Sequence, residues 1–474
     1  MKKTYKGAMK ISAVVAALVA LTFGAQTAFA QSAGFEFHAY ARSGFAFAPG
    51  LYTTGGQIDE YGVGRLGNEL NQSYLESELV HTNTNADGSW AKYHVMFVVN
   101  SNGNIKDFKS YPGSYGNGGV GDILMRQAYV EMGGFNWDPK AVYWIGEKYN
   151  GRDDIHILDF FWRDMSGEGV GISNAFNGFV DLSEIAAGNG NTYTIAGENY
   201  IPFTTDLRLH LGAVLPALSG VELEGAVTYA PVSNNGGDQS GNHILPGNNT
   251  SNYGFQGAIV YSPDKFFWFA DGYSRIAVQY GAGDSASAWY LGTANAEVGN
   301  AVGATAFRAL IFGEATNVLP NLDIMPSLYY EMVNSAITAA EGGKNQAGQA
   351  ADEDVASKLS FVIRPVYKLN QNISVQLEAG VDHVSGTNSN TFFYANGAGF
   401  AGITNYKVTL APTLSLDSGF WGRPQLRLFW SLVGTSGTTT QYGTWGQSSV
   451  VGNVDANNSS TSENRFGVQF ETWF

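Results

Sequence analysis

The stretch GEKYNGRDDIHILDFFWRDMSGEGVG, residues 146–171, gathers acids, bases, a histidine and several aromatic side chains between glycines. Only 14% of the residues in the chain are charged, so this local density stands out. Such residues serve three kinds of chemistry: metal coordination, proton transfer, and a lining that binds a flat polar molecule. Which of these three kinds of chemistry applies depends on the strands and loops that position the stretch and on the residues around it.

Metal binding and catalysis are weakly supported. Asp154 and His156 have no cysteine and no second histidine nearby at ligand spacing. Nucleophilic catalysis would need an activated nucleophile, and the chain contains no GxSxG motif. The acidic pair Glu76 and Glu78 could suggest a glycosidase, but two acids on one face of a strand are an ordinary polar lining. We therefore expect no enzyme activity, no metal and no cofactor.

The first thirty residues predict export from the cytoplasm. MKKTYKGAMK is basic, ISAVVAALVALTFG is apolar, and AQTAFA ends in an A-x-A cleavage pattern, as in a secretory signal peptide. Cleavage after Ala30 leaves residues 31–474 as one mature domain. Without the four lysines of the signal peptide, 22 basic residues stand against 41 acidic ones, a formal charge of −19. An acidic surface argues against nucleic acid as a partner.

Alternating apolar and polar residues predict β-strands throughout the mature chain. In the terminal RFGVQFETWF, Phe466, Val468 and Phe470 share one face, whereas Gln469 and Glu471 share the other. The same two-residue period recurs in FEFHAYAR, VELEGAVTY and VQLEAGVDH. There is no cysteine to form disulfides. The sequence therefore indicates an all-β protein whose strands each have one apolar and one polar face.

A membrane barrel explains this pattern better than a soluble one. Spanning strands need only every second residue apolar, and an aromatic C-terminal residue suits the membrane interface. Segments such as 232–252, 338–357 and 434–464 are rich in Gly, Asn and Ser, as expected of the long loops at one rim of an outer-membrane barrel. We expect a transmembrane antiparallel β-barrel in the outer membrane of a Gram-negative bacterium, in contact with its lipid.

Several aromatic residues fall on the polar, lumen-facing side of their strands. A sugar ring packs its C–H face on an aromatic ring, while its hydroxyls need charged or amide partners. A lumen lined in this way suits transient binding of a sugar at several sites. The alternative is that these rings pack against one another inside a plugged lumen. The inward-facing rings are Tyr40, Tyr74, Tyr273, Trp421 and Trp473.

These residues resemble the maltoporin family, trimeric outer-membrane channels for maltodextrins. The resemblance is carried by FHAYARSG (37–44), RLGNE (65–69), YLE (74–76), RQAYVE (126–131), RDDIHILDFFWRD (152–164), the RP at 423–424 and the terminal ETWF. It implies an 18-stranded barrel, a homotrimer, and a third loop that folds inward and narrows the pore. The long loops would be candidate docking sites for phage.

The resemblance also implies roles for individual residues. The five inward rings match the family's aromatic slide. A sixth slide residue, a Trp in the second loop of a neighbouring subunit, is missing here, and Phe108, Tyr111 or Tyr115 could replace it. Residues that match the polar tracks and the constriction are Arg42, Arg65, Glu76, Arg126, Arg152, Asp154, His156, Asp159, Phe161 and Asp164.

One position departs from the family pattern. Phe161 stands where maltoporins carry Tyr, so a ring is kept and a hydroxyl is lost. Sucrose-selective relatives alter the Arg and the final Asp of the same loop, whereas Arg152 and Asp164 keep the maltoporin type. The resemblance therefore favours facilitated diffusion of maltose and maltodextrins. A porin for sucrose, aryl-β-glucosides or chitin oligomers, or a general diffusion porin, remains the alternative.

Overall fold

The computed structural model describes residues 34–48, 51–52, 60–68, 72–102, 124–186, 193–195, 198–200, 202–229, 253–286, 291–294, 303–334, 355–386, 402–438 and 460–474. The expected signal peptide, residues 1–30, lies outside these ranges. The candidate second-loop aromatics Phe108, Tyr111 and Tyr115 also lie outside them.

Eighteen long strands form one closed antiparallel sheet, which confirms the expected barrel. Each strand pairs with its neighbours in chain order, and β1 pairs with β18 to close the sheet. The register at the closure places Tyr40 opposite Trp473, and the backbone of Phe474 is bonded to Ala39. The strands are β1 (Phe35–Ala48), β2 (Gln72–Thr84), β3 (Trp90–Asn102), β4 (Leu124–Phe135), β5 (Asp138–Lys148), β6 (Gly167–Asn174), β7 (Val180–Ala186), β8 (Phe203–His210), β9 (Val221–Tyr229), β10 (Tyr253–Tyr261), β11 (Gly272–Gly283), β12 (Thr305–Leu319), β13 (Leu322–Asn334), β14 (Val355–Lys368), β15 (Ile373–Gly386), β16 (Gly402–Ser415), β17 (Gln425–Thr438) and β18 (Ser460–Trp473).

Short and long connections alternate along the chain. Connections such as 136–137 and 320–321 join strands at one rim, whereas the strand ends Tyr229, Tyr253, Thr438 and Ser460 lie at the other rim. Several shorter elements lie between the barrel strands: Leu51–Tyr52, Asp153–Ile155, Phe160–Arg163, Tyr193–Ile195 and Glu198–Tyr200 are strands, Glu60–Val63 and Ala175–Gly178 are single helical turns, and His156–Leu158, Leu211–Ala213 and Pro216–Leu218 are 3₁₀ turns. No helix in the described ranges is long and apolar enough to cross a membrane.

The two faces of each strand meet different surroundings. In β17, Leu426 and Leu428 are 45% and 60% exposed on the outer surface, whereas Gln425 and Arg427 between them are buried inside the barrel. This inverts the usual arrangement, because the outer surface of a membrane barrel faces hydrocarbon and the inner one faces polar groups. The alternation in the sequence therefore distinguishes the two faces of β17 correctly.

Three connections from the long-loop rim fold into the barrel. Residues 149–166 do so, as expected, and their backbone contacts the two others: Arg65 N–H donates to Ile157 and Asp164 N–H donates to Gly292. The inward folding of residues 60–68, 284–286 and 291–294 was not foreseen from the sequence. Gly64 illustrates the close approach, because its φ is +96° and a Cβ there would lie 2.4 Å from the Glu378 carboxylate.

Candidate functional site

The constriction loop, residues 149–166, is a small hairpin inside the barrel. Two short strands, Asp153–Ile155 and Phe160–Arg163, flank a 3₁₀ turn at His156–Leu158. Asp159 ends this turn with a left-handed backbone, which aspartate tolerates better than bulky residues do. Because Ile155, Ile157, Leu158 and Trp162 are fully buried in an apolar cluster, the loop is fixed and its polar side chains are left for the lumen.

Four of the five predicted slide rings form one continuous series, which we call the aromatic row. The ring centroids of Tyr74 and Tyr40 are 6.0 Å apart, those of Tyr40 and Trp473 are 6.4 Å apart, and those of Trp473 and Trp421 are 6.0 Å apart. The row passes from Tyr74, near the long-loop end of β2, to Trp421 in the short connection 416–424. It therefore follows the lumen from one rim towards the other.

Trp421 and Tyr273 differ in how they reach the lumen. Trp421 precedes β17 and is not part of a strand, so the alternation of strand residues does not determine the direction of its side chain. Its ring nonetheless enters the lumen, where its centroid is 4.9 Å from that of His156 of the constriction loop. Tyr273 makes no ring contact with the row among the described residues. It packs against the apolar cluster of the loop and lies opposite Glu314 of β12.

A first polar group joins the wall of the barrel to the tip of the loop. Arg42 donates to Asp159 over 2.7 Å, and Arg65 lies 3.0 Å from Glu471 and 4.0 Å from Asp159. Arg65 also donates to the Tyr40 hydroxyl over 3.0 Å, so this group borders the aromatic row. His156 completes the group, with Nδ1 3.5 Å from Arg65.

The charges of this first group follow from their surroundings. Burial disfavours the ionised form of Asp159, but the Arg42 and Arg65 guanidinium groups outweigh it and hold the pKa of Asp159 well below its usual range. Burial and the adjacent Arg65 charge both keep the pKa of His156 well below its usual value. At neutral pH the loop tip therefore carries an ionised Asp159 and an uncharged His156.

A second polar group lies at the base of the loop. Arg126 donates to the Tyr149 hydroxyl over 2.7 Å, and this hydroxyl donates to Glu76 over 3.0 Å. Arg152 is stacked between two rings, 4.2 Å from the centroid of Tyr149 and 3.7 Å from that of Phe161. The remaining member is Asp164, which accepts from Arg152 over 3.2 Å.

Asp154 stands between the two polar groups. Its side chain makes no hydrogen bond or ion pair with any residue that the structure describes. Burial, followed by the repulsion of Asp159, raises the pKa of Asp154 from 3.8 to about 6. A carboxyl group without a protein partner can accept hydrogen bonds from a solute that passes the loop.

Three neighbours of the candidate site were missed as site residues in the sequence. Tyr149 bridges Arg126 and Glu76, and Glu471 gathers Arg65, Arg423 and Arg427 at 3.0, 3.0 and 2.7 Å. Strand parity placed Glu471 and Arg423 on the inner face, and Tyr149 adjoins the charged stretch. Arg423 lies 3.5 Å from the centroid of Trp473, so a guanidinium covers part of this ring.

The arrangement offers ring faces and hydrogen-bonding groups, but no metal-binding group in the described part of the chain. Nowhere in it do three His, Asp or Glu side chains gather closely enough to hold a metal ion. Rings along one wall and charged pairs on the loop opposite can contact a solute without transferring a proton to it. A closed barrel with an apolar outer surface and a polar lumen narrowed by a loop defines an outer-membrane channel protein.

Comparison with known proteins agrees with this class. The chain belongs to the LamB porin family, which it matches over residues 35–474. It is 28% identical over 432 residues to a maltoporin of Vibrio cholerae serotype O1, in an alignment that covers 89% of this chain and 93% of the relative. It is 26% identical over 484 residues to a maltoporin of Hahella chejuensis, in an alignment that covers 100% of this chain and 99% of the relative. As a porin of this family, the protein resides in the Gram-negative outer membrane.

Solved barrels are more distant. The structure of OccAB4 of Acinetobacter baumannii aligns with 94% of this chain and 99% of its own at 9% identity, with a TM-score of 0.43. A likeness at this level supports no conclusion about this chain.

Proposed function

We propose that the protein mediates facilitated diffusion of maltose and maltodextrins across the outer membrane. The observation that carries this proposal is the aromatic row: four rings in successive contact along the lumen wall, with the constriction loop lying against them. The relatives named maltoporin support the same substrate class. No bond is made or broken in this function, so the porin acts as a channel and not as an enzyme.

The row and the polar groups divide the recognition of the sugar between them. Each pyranose ring presents an apolar C–H face, which packs on an aromatic ring, and a rim of hydroxyls. Successive rings about 6 Å apart let a linear oligosaccharide move from one contact to the next without losing all contacts at once. Because each contact is weak, binding favours entry and still permits release.

The polar tracks provide the hydrogen bonds for this passage. Charged donors and acceptors bind hydroxyl groups more strongly than neutral ones do. Most of these charges are already paired within the two polar groups, so a hydroxyl joins an existing network instead of meeting a bare charge. Asp154 differs because it has no partner among the described residues and is therefore free to accept from the sugar. The proposed track and constriction residues are Arg42, Arg65, Glu76, Arg126, Arg152, Asp154, His156, Asp159, Phe161 and Asp164.

Channel recording with a panel of sugars tests the proposal. Purified protein in a planar bilayer should show an ion current that maltotriose reduces in a saturable manner, whereas sucrose has a much smaller effect. Preferential block by sucrose or an aryl-β-glucoside would instead indicate a porin for that sugar. A current that no oligosaccharide reduces would indicate a general diffusion porin and would refute the maltodextrin proposal.

We also propose that the channel works as a homotrimer, with one of Phe108, Tyr111 and Tyr115 contributing a ring to the neighbouring pore. Small and polar residues on the outer face near the barrel closure support a protein contact there: Ser43 and Ser73 bond each other over 2.8 Å, and Ala39 lies opposite Ser77 further along the same two strands. Mass measurement in detergent tests this assembly. Replacement of each of the three aromatics by Ala should weaken sugar block in only one case.

A further inference from the structure

The constriction loop has a second face, turned away from the aromatic row. In the hairpin, Asp153 pairs with Arg163 and Asp154 pairs with Phe161. A β-bulge interrupts the register between these two pairs and breaks the two-residue alternation, so the contacts of each pair, and not its spacing, show the side on which it lies. Phe161 lies against Arg152 of the second polar group, whereas Arg163 lies against the barrel wall. The chemistry of the wall-facing pair has no part in the proposed sugar contacts.

Arg163 and Asp153 connect the loop to two strands of the wall. The Arg163 guanidinium bonds Asp153 within the hairpin and Glu222 of β9, and it lies 3.1 Å from Glu224 of the same strand. Asp153 also accepts from Arg275 of β11 over 2.7 Å. The loop is thus tied to β9 and β11 by charge pairs in addition to its apolar packing.

The charge pairs between the hairpin and the barrel wall lie beside a cavity. A cavity of about 260 Å³ lies beside the wall-facing pair, lined by Arg163, Arg275, Glu222, His210 and backbone of the short turns. His210 lies 3.1 Å from Glu222 and 3.0 Å from Asp181, so the wall carboxylate is itself held in place. Because the cavity provides no close packing, the charge pairs beside it have to resist movement of the hairpin.

We propose that Arg163 is a positioning residue that holds the constriction loop at its working distance from the aromatic row and thereby sets the width of the pore. Arg163 is only 5% exposed and engages three carboxylates, so it acts on a passing solute through the hairpin and not by contact. Removing one partner of a buried charge cluster leaves the others uncompensated, which strongly disfavours the original geometry. Without Arg163, Glu224 loses this ion pair, Asp153 keeps only Arg275 and Glu222 keeps only His210, so no direct charge pair joins the hairpin to β9.

Single-channel recording of Arg163→Met tests this inference. The substitution keeps the length of the side chain and removes its charge. We expect a variable open-channel conductance in KCl, increased current noise, and sugar block weakened by about tenfold, since small misplacements in a positioned site have large effects. Arg163→Lys should restore part of each property, because one positive charge returns to the cluster.

Arg465→Met is the matched control. Arg465 is a buried arginine of β18 that pairs with Glu463 over 3.1 Å and lies away from the hairpin contacts with β9 and β11. Its variant should keep a steady conductance. If Arg163→Met does not yield a heat-resistant folded barrel, Asp153→Asn tests the same link from the loop side. The proposal would be overturned if Arg163→Met had the conductance and current noise of wild type. If Asp153→Asn is used in place of Arg163→Met, the same result in Asp153→Asn would overturn it.

The inference rests on the proposed function only for its sugar measurement. If wild-type current is not blocked by any sugar, the maltodextrin proposal fails, yet conductance and noise in KCl still decide whether Arg163 positions the loop. If sugar block is normal in the wild type and unchanged in Arg163→Met with steady conductance, the positioning role fails and the maltodextrin proposal stands.

Discussion

Arg42 of β1 and Asp159 of the constriction loop are joined by a 2.7 Å hydrogen bond between opposite charges. The Arg42 guanidinium also lies 5.3 Å from the centroid of Tyr74. Since β1 carries Tyr40 as well, one strand provides both a ring of the aromatic row and the attachment of the loop that faces it. The Arg42–Asp159 pair therefore joins the loop tip to the wall that carries the row, in addition to the apolar packing of the loop, and changes at either residue should alter the pore.

Replacement of Asp159 by Asn should make the channel more permeable to anions. The pKa of Asp159 is held well below its usual range, so the wild-type side chain is fully charged at neutral pH. The variant leaves Arg42 and Arg65 without this counter-charge at the loop tip. The reversal potential in a KCl gradient should shift towards that of chloride. Glu463→Gln, on β18 and away from the loop, serves as a control; equal shifts in both variants would contradict a local effect of Asp159.

Loss of a ring from the aromatic row should weaken sugar binding. Trp473→Ala and Trp421→Ala each remove one stacking surface, which is worth about 1–3 kcal/mol for flat ligands on aromatic rings. The concentration of maltotriose that halves the current should rise accordingly. Trp430→Ala is a matched control, because Trp430 is exposed on the outer face of β17. Unchanged block in both row variants would show that the row does not bind the sugar.

Phe161→Tyr should strengthen the binding of maltodextrins. The ring of Phe161 is already stacked on Arg152 in the constriction loop, so the added hydroxyl enters a polar region with little rearrangement. One additional hydrogen bond to the sugar is worth about 1 kcal/mol. Titration of current block with maltotriose measures the change. Phe161→Leu keeps an apolar side chain without the ring and should not strengthen binding; a gain in that variant would exclude the hydroxyl as the cause.

The ion selectivity of the channel should change with pH near 6. Burial and Asp159 raise the pKa of Asp154 to about 6, so this carboxyl is mostly neutral at about pH 5 and ionised at about pH 7.5. Raising the pH adds a negative charge in the constriction, and the permeability of K⁺ relative to Cl⁻ should increase. In Asp154→Asn the increase should disappear. A variant that retains the full pH dependence would assign it to another group.

The raised pKa of Asp154 also makes the stability of the folded protein depend on pH. The folded protein binds the Asp154 proton more tightly than an unfolded chain does, because the pKa rises from 3.8 to about 6. The contribution of this group to stability is therefore present at low pH and is lost as the pH rises through this range. Asp154→Asn should remove that loss, so the variant should be the more heat-resistant form at neutral pH and similar to wild type near pH 4.

The barrel could be predicted because its signal is local. Side chains of a strand alternate between two faces, so the position of Phe466 relative to Gln469 or of Leu428 relative to Arg427 depends on their spacing alone. Parity accordingly directed Tyr40, Tyr74 and Trp473 to the lumen, where their rings are in contact. The composition of the long connections was a weaker guide, because residues 355–357, 434–438 and 460–464, which were expected in loops, belong to β14, β17 and β18.

The tertiary structure alone decided which of these residues meet. Nothing in the spacing of Arg65 indicates that residues 60–68 enter the barrel, because that depends on closing a loop and on burying Arg65 beside Glu471 of the last strand. The wall contacts of Arg163 likewise join residues far apart in the chain. Local periodicity determines the face on which a side chain lies, whereas the partner of a buried charge is selected by the folded chain as a whole.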